Sequence, residues 1–88
     1  MDIASRFGDN LLRRRRAADL SQEELASRAS LHRTAISEME KGERLPRLDT
    51  LVKLAGALAT KPETLLEGIG WEPTLSRTGR FKVVKPKR

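Results

Sequence analysis

Two short helical patterns occupy residues 22–41, with a break of only two residues between them. Helices joined by so short a turn lock at a steep angle only when a small residue stands where they cross and apolar residues fill fixed positions on both helices. Ala26 supplies the small residue. The apolar side chains that meet this requirement are Leu25, Ala26, Leu31, Ile36 and Met39. The segment therefore predicts two crossed helices that share one buried stripe.

Helical signals also appear on both sides of this pair. Ser21 and Glu24 form a capping box before the first of the two helices, and Thr60 and Glu63 repeat the same spacing later in the chain. Gly42 is expected to end the second helix in a left-handed conformation. The predicted helices cover residues 5–18, 22–29, 33–40 and 48–58, with a short fifth helix ending near residue 67.

Length and composition favour a small helical domain. A chain of 88 residues with only three aromatic side chains lacks the bulk of a typical β-sandwich core. We predict an all-α, compact five-helix domain over residues 1–70. A basic C-terminal extension follows over residues 71–88 and is expected to be partly disordered or to form a short strand at residues 80–84.

The net charge of +6 is unevenly distributed. Acidic and basic side chains balance over residues 1–73, so the whole surplus lies in residues 74–88. The basic side chains of this tail are Arg77, Arg80, Lys82, Lys85, Lys87 and Arg88. A basic surplus predicts polyanion binding only where the charge is gathered on one surface, so net charge does not identify a binding site in the body.

Several classes of protein are disfavoured. The chain has no cysteine, which removes disulfides, thiolate metal sites and cysteine nucleophiles. No apolar run approaches the roughly 20 residues that cross a bilayer, and the N-terminus lacks a signal-peptide pattern. The sequence also lacks a phosphate-cradling glycine loop, and its one histidine has no plausible catalytic partners. We therefore expect a cytoplasmic, nucleoid-associated protein that is not an enzyme and needs no metal or cofactor.

The stretch LSQEELASRASLHRTAISEMEKG, from Leu20 to Gly42, resembles the lambda-repressor/Cro-type (XRE) helix-turn-helix family. The resemblance covers residues 5–67, with departures at Ser30, where the family usually has glycine, and at Arg47, which replaces a small polar cap. It implies a lambda-repressor-like fold and a sequence-specific regulator of transcription. Repression is the expected mode, with the third helix reading the major groove of double-stranded DNA.

The resemblance also implies roles for individual residues. The positions that match base-reading residues of the family are Arg33, Thr34, Ser37 and Glu38. The positions expected to contact DNA phosphates are Gln22, Lys41, Arg44, Arg47 and, as a weaker member, Arg14. Arg15 and Glu40 match a structural salt bridge between the first and third helices. His32, at the start of the third helix, is expected to cap that helix or contact a phosphate rather than bind a metal.

Assembly and partners are left with alternatives. Family members usually bind as homodimers, and the candidate interface residues are Leu65, Leu66, Ile69 and Trp71. Trp71 could equally fold back onto the monomer core. The tail is either a phosphate-binding arm, a strand at residues 81–84 that pairs between subunits, or an unstructured end. Two other functions stay open: an antitoxin-type protein that binds a toxin partner and regulates its own operon, and a nonspecific nucleic-acid binder led by the tail.

Overall fold

Four α-helices come first in the chain, followed by a 3₁₀ helix and a two-stranded sheet. The computed structural model describes residues 1–75 and 77–85. The elements are α1 (Ile3–Ala17), α2 (Gln22–Ala29), α3 (Arg33–Glu40), α4 (Leu48–Ala57), a 3₁₀ helix (Pro62–Leu66), β1 (Ile69–Pro73) and β2 (Gly79–Val83). The helical body agrees with the sequence prediction, whereas the all-α, five-helix description is wrong for its C-terminal part.

One core joins the four α-helices and the 3₁₀ helix. The fully buried side chains at its centre are Phe7, Leu11, Leu25, Ile36, Met39, Leu54 and Leu65. Each helix contributes at least one of them, so each helix is held by burying its apolar stripe. In the part of the chain that the structure describes, no helix is both long enough and apolar enough to span a bilayer.

The turn between α2 and α3 is tight and is closed by backbone hydrogen bonds. Ser30 adopts the left-handed conformation, with φ 54° and ψ 46°, which glycine adopts more easily. The N–H of Leu31 donates to the carbonyl oxygen of Ala26 at 2.9 Å and so closes the turn. The serine at residue 30 therefore occupies a glycine-favouring conformation without opening the turn.

Gly8 allows α1 to approach the end of α3 closely. A Cβ atom placed on Gly8 would lie 2.5 Å from the carbonyl oxygen of Met39 and 2.8 Å from that of Glu40. Both neighbours are backbone atoms in the last turn of α3. Gly42, just beyond that helix, has φ 75°, as expected for a glycine that terminates a helix. Two glycines thus fix where the C-terminal end of α3 lies against α1.

The sequence prediction of the helix ends was partly wrong. The capping box of Ser21 and Glu24 is formed, with both hydrogen bonds at 3.0 Å. The box expected from Thr60 and Glu63 is not, because Lys61 is the cap residue and its side chain makes no capping hydrogen bond. The fifth helix is accordingly a short 3₁₀ helix. At the other end of the chain α1 begins two residues earlier than predicted, because Asp2 caps it by accepting from the N–H of Ser5.

Burial also corrects three apolar positions. Leu48 and Val52, two apolar residues of the helix predicted at residues 48–58, are 77% and 53% exposed. Leu48 is the first residue of α4 and Val52 lies about one turn later, so their exposed side chains form an apolar patch on the surface of the helix. Leu65, which was predicted to lie in the dimer interface, has no exposed surface and is a core residue instead.

The C-terminal extension folds back as an antiparallel hairpin. β2 covers most of the strand predicted at residues 80–84, whereas its partner β1 was not predicted. The predicted boundary between residues 70 and 71 falls inside β1. Lys87 and Arg88, two of the predicted basic tail residues, lie outside the described residues.

The two faces of the hairpin differ in chemistry. On one face Trp71 lies opposite Phe81, with the ring centroids 5.0 Å apart and the rings edge to face at 74°. On the other face the carboxylate of Glu72 pairs with the guanidinium of Arg80 at 2.7 Å. Ile69 continues the aromatic face and packs against the core. The hairpin is therefore tied to the body at one end and carries an exposed aromatic pair toward the other.

Candidate nucleic-acid interface

The outer face of α3 is polar along its whole length. Arg33 and Thr34 in its first turn and Lys41 just beyond its last turn are exposed, and Ser37 and Glu38 between them are half-buried. The opposite face carries the core residues Ile36 and Met39, so α3 is held by its apolar side while its hydrogen-bonding side faces outward. This is the arrangement in which a helix can enter the major groove and touch base edges.

A chain of polar contacts braces this face from behind. Nε and Nη2 of Arg15 in α1 donate to the two carboxylate oxygens of Glu40 in α3, at 2.6 and 3.0 Å. The amide nitrogen of Gln22 donates to the same carboxylate at 2.9 Å. Arg33 donates to the amide oxygen of Gln22 at 3.4 Å, a longer contact. The first residue of α3 is therefore linked through α2 to α1.

Among these polar contacts, the ion pair of Arg15 and Glu40 is the least exposed to solvent. Their side chains are 13% and 5% exposed, and Nη1 of Arg15 also donates to the carbonyl oxygen of Leu20 at 2.9 Å. Hydrogen bonding to Glu40 raises the pKa of Arg15, and the opposing effect of burial does not cancel it. The predicted pair is formed, and its geometry makes it a link between α1 and α3.

The loop after α3 supplies further cations beside the same face. Nη1 of Arg44 lies 3.2 Å from Oε1 of Glu38, so this arginine contacts a side chain of the outer face directly. Arg47 precedes α4, is 84% exposed, and lies 3.7 Å from Asp49. We call Lys41, Arg44 and Arg47, the three basic residues between α3 and α4, the cationic rim.

Two residues assigned to phosphate contacts differ from the expected picture. Arg14 points to another side of α1, where it pairs with Glu67 at 3.3 Å near the 3₁₀ helix, whereas Arg15 points to α3. The structure therefore does not bring Arg14 to the face that α3 presents. His32 occupies the cap position of α3 and makes no side-chain capping hydrogen bond, so its exposed imidazole borders the face without a capping role.

The contact between Glu38 and Arg44 on this surface was not predicted from the sequence. An open groove follows one edge of α3, and its walls include Thr34, Glu38 and Arg44. Glu38 and Arg44 are six residues apart and lie on either side of a helix end, a spacing for which no regular periodicity predicts a contact. The sequence shows that Glu38 and Arg44 carry opposite charges, but the two side chains come into contact only because the backbone turns at Gly42.

The helix-turn-helix family model HTH_3 matches residues 11–65 of this chain. The control protein C.SmaI of Serratia marcescens is 44% identical over 66 residues, which cover 75% of this chain and 79% of that protein. The control protein C.BamHI of Bacillus amyloliquefaciens is 44% identical over 50 residues. That match covers 57% of this chain and 62% of C.BamHI, less than two thirds of its length.

Solved structures are similar over the same region. The restriction-modification controller protein C.AhdI of Aeromonas hydrophila has a TM-score of 0.69 and 39% identity, over 70% of this chain and 94% of that chain. The P22 c2 repressor, solved in complex with a synthetic operator, has a TM-score of 0.66 and 31% identity, over 70% of this chain and 94% of that chain. The similarity thus extends to a repressor held on its operator.

Proposed function

We propose that this chain, which belongs to the helix-turn-helix family HTH_3, is a DNA-binding transcriptional regulator and not an enzyme, and that it represses transcription by reading operator DNA with α3. The observation that carries this proposal is the polar outer face of α3, which is braced from behind by Arg15, Gln22 and Glu40. A reading helix needs such support because base contacts demand that side chains be held in place before binding.

Four side chains of α3 are proposed to read base edges: Arg33, Thr34, Ser37 and Glu38. Arginine can donate to both acceptors of a guanine, a threonine methyl can touch that of thymine, and glutamate can accept from a cytosine amine. The position of these four residues supports this assignment, since all of them lie on the outer side of α3 and the other side of the helix is part of the core. Arg33 is the strongest candidate, because its contact with Gln22 already orients it.

Phosphate contacts are assigned to the residues that border this face. Lys41, Arg44 and Arg47 form the cationic rim, Gln22 contacts Arg33 from the start of α2, and His32 directly precedes α3. Such contacts set register and orientation without reading sequence. Arg14 is left out of this set, because its guanidinium is paired with Glu67 away from α3.

Binding-site selection followed by fluorescence anisotropy tests this assignment. Arg33→Ala is expected to weaken binding to the selected site by about 1–3 kcal/mol and to relax the preference at one base pair. Arg47→Ala is the matched control, an exposed arginine outside α3, and it should weaken all sequences alike. Equal loss on every sequence for Arg33→Ala would contradict a base-reading role. A wild-type protein that selects no sequence would contradict the proposed function itself.

We further propose that the protein acts as a homodimer, with residues 1–70 binding DNA and the hairpin face in the interface. Trp71 and Phe81 are each 57% exposed, and Leu66, at the end of the 3₁₀ helix, is 40% exposed. Exposed aromatic patches of this kind mark interfaces, and an isolated two-stranded hairpin is only marginally stable. The charges of Glu72 and Arg80 are paired with each other on the opposite face of the hairpin, so this ion pair does not interrupt the aromatic face.

Sedimentation velocity over a range of concentrations tests the hairpin as the interface. Trp71→Ala should shift the protein to monomer and weaken DNA binding, because two half-sites are then no longer held together. Leu48→Ala is the matched control, since Leu48 is a 77% exposed apolar residue on α4. Dimers that survive Trp71→Ala and dissociate with Leu48→Ala would move the interface to α4.

The genes under control are proposed to belong to a restriction–modification system, including the gene of the regulator itself. Two relatives are named as control proteins, and a similar structure is that of a restriction-modification controller. The test is a reporter carrying the promoter of the neighbouring methyltransferase or endonuclease gene. Loss of reporter output on expression of this protein supports the proposal, and unchanged output contradicts it.

The other hypotheses need separate observations. A cytoplasmic location on the nucleoid follows if duplex DNA is the working partner. The antitoxin hypothesis stays a prediction, and a toxin that co-purifies with the protein is the finding that would support it. For the tail-led nonspecific binder, deletion of residues 74–88 would abolish binding. A DNA-reading α3 instead predicts that this deletion, which also removes β2 and Phe81 from the proposed dimer interface, weakens binding but leaves the base preference of each half-site unchanged.

A further inference from the structure

The ion pair between Glu38 and Arg44 joins a proposed base reader to the loop that follows α3. Nη1 of Arg44 lies 3.2 Å from Oε1 of Glu38, and the side chains are 52% and 41% exposed. Within residues 1–75 and 77–85, Oε2 of Glu38 receives no hydrogen bond from the protein. The pair therefore occupies one carboxylate oxygen and leaves the other available on the outer face of α3.

Electrostatics explains why such a pair matters on a DNA-reading surface. The phosphates of a duplex repel an uncompensated carboxylate, so a glutamate that enters the groove needs a neighbouring cation. An arginine has five N–H donors, and the contact with Glu38 uses one of them. The guanidinium of Arg44 can therefore bind a phosphate while it still holds the carboxylate.

We propose that Arg44 is a positioning residue that holds Glu38 to read a cytosine, so that Arg44 contributes to sequence specificity without touching a base. This inference rests on the proposed function of α3. With Oε1 held by Arg44, Oε2 of Glu38 accepts from the exocyclic amine of a cytosine, the one base-edge donor of that base in the major groove. Without Arg44 the carboxylate is repelled by the phosphates and turns out of the groove.

Arg47 provides the contrast within the same rim. Its guanidinium is 84% exposed and lies 3.7 Å from Asp49, a residue at the start of α4 and not on the outer face of α3. A cation placed in this way can contact a phosphate but cannot orient a base reader. The two arginines, three residues apart, are thus expected to differ in specificity although both favour DNA.

A double-mutant cycle with a base-preference readout tests the proposal. Binding-site selection and anisotropy are run on the wild type and on Arg44→Ala, Glu38→Gln, the Arg44→Ala/Glu38→Gln double variant and Arg47→Ala. The wild type should prefer C·G at one base pair. Arg44→Ala should reduce that preference about tenfold, whereas Arg47→Ala should leave it unchanged. With glutamine at position 38, Arg44→Ala should cost no more affinity than Arg47→Ala does.

The possible outcomes distinguish a failure of the role proposed for Arg44 from a failure of the proposed DNA-reading function of α3. If Arg44→Ala and Arg47→Ala weaken all sequences alike and both keep the wild-type base preferences, Arg44 is a phosphate contact only and the inference is overturned. The inference also fails if Glu38→Gln leaves every base preference unchanged. If the wild type selects no sequence, the proposed function has failed first. Thermal melting of each variant is the control for folding, and the exposed substitutions are expected to leave the melting temperature unchanged.

Discussion

Alanine substitution of Gly8 and of Gly56 should change stability in opposite directions. Both glycines lie inside α-helices, α1 and α4, where alanine is intrinsically preferred by about 1 kcal/mol. Helix propensity alone therefore predicts that both substitutions stabilise the protein. The surroundings differ, because a Cβ at Gly56 meets no atom within 4 Å, whereas one at Gly8 meets the backbone of α3.

The magnitude at Gly8 follows from the overlap. A Cβ there would lie 2.5 Å from the carbonyl oxygen of Met39 and 2.8 Å from that of Glu40, well inside normal contact distances. Both are backbone atoms of a packed helix, so relief requires α1 and α3 to move apart. Overpacking of this kind typically costs about 1–3 kcal/mol, which exceeds the propensity gain. We expect Gly8→Ala to destabilise the protein by about 1–2 kcal/mol and Gly56→Ala to stabilise it by about 0.5–1 kcal/mol.

Urea denaturation measures both changes, with thermal melting as a second probe. For a domain of this size, 1 kcal/mol corresponds to a shift of roughly 4–8 °C in melting temperature. DNA affinity should fall for Gly8→Ala beyond the loss of folded protein, because the displaced end of α3 carries Glu40 and the groups attached to it. If Gly8→Ala is as stable as the wild type or more stable, the close approach of α1 to α3 does not exist as described.

The remaining predictions concern two polar contacts of α1 and α2. Glu40→Ala should destabilise the protein by about 3 kcal/mol in urea denaturation, because it leaves the charge of Arg15 buried without its partner. The Arg15→Met/Glu40→Leu double variant should be less destabilised than Glu40→Ala. The opposite order of stability would contradict a buried ion pair. Hydrogen bonds from Ser21 lower the pKa of Glu24 in the folded state, so the contribution of its charge is fully present above the unfolded pKa and is lost as the pH falls through the lower, folded-state pKa. The stability difference between wild type and Glu24→Gln should accordingly shrink between pH 7 and pH 3 in thermal melts, and a constant difference would show that this charge contributes nothing.

Local signals were sufficient for the helical body. The capping box at Ser21, the small residue Ala26 and the glycine at position 42 each act through atoms within a few residues, so α2 and α3 could be placed from sequence. The start of α1 was missed because Asp2 caps the helix through one side-chain hydrogen bond, ahead of the first apolar residue of the pattern. Apolar spacing shows which face of a helix is buried, but not where its first turn begins.

Side-chain burial was harder to predict than helix position. Leu48 and Val52 fit the apolar spacing of α4, yet they are exposed whereas Leu51 and Leu54 are buried. The spacing of apolar residues shows which positions share a face of the helix, whereas burial also requires another element packed against that face. The same reasoning applies in reverse to Leu65, whose burial depends on α1 and α4 reaching it from distant parts of the chain.

The hairpin could not be derived from β1 alone, because its stability comes from contacts distant in sequence. Residues 69–73 read Ile-Gly-Trp-Glu-Pro, and glycine and proline both disfavour a strand. What favours the strand is the register with β2, in which Trp71 meets Phe81 and covers Gly79, where a side chain has no room. These contacts bury only one side of Trp71, so the pairing that forms the hairpin is also what leaves its aromatic face open. The dimer interface that we propose lies on this open face.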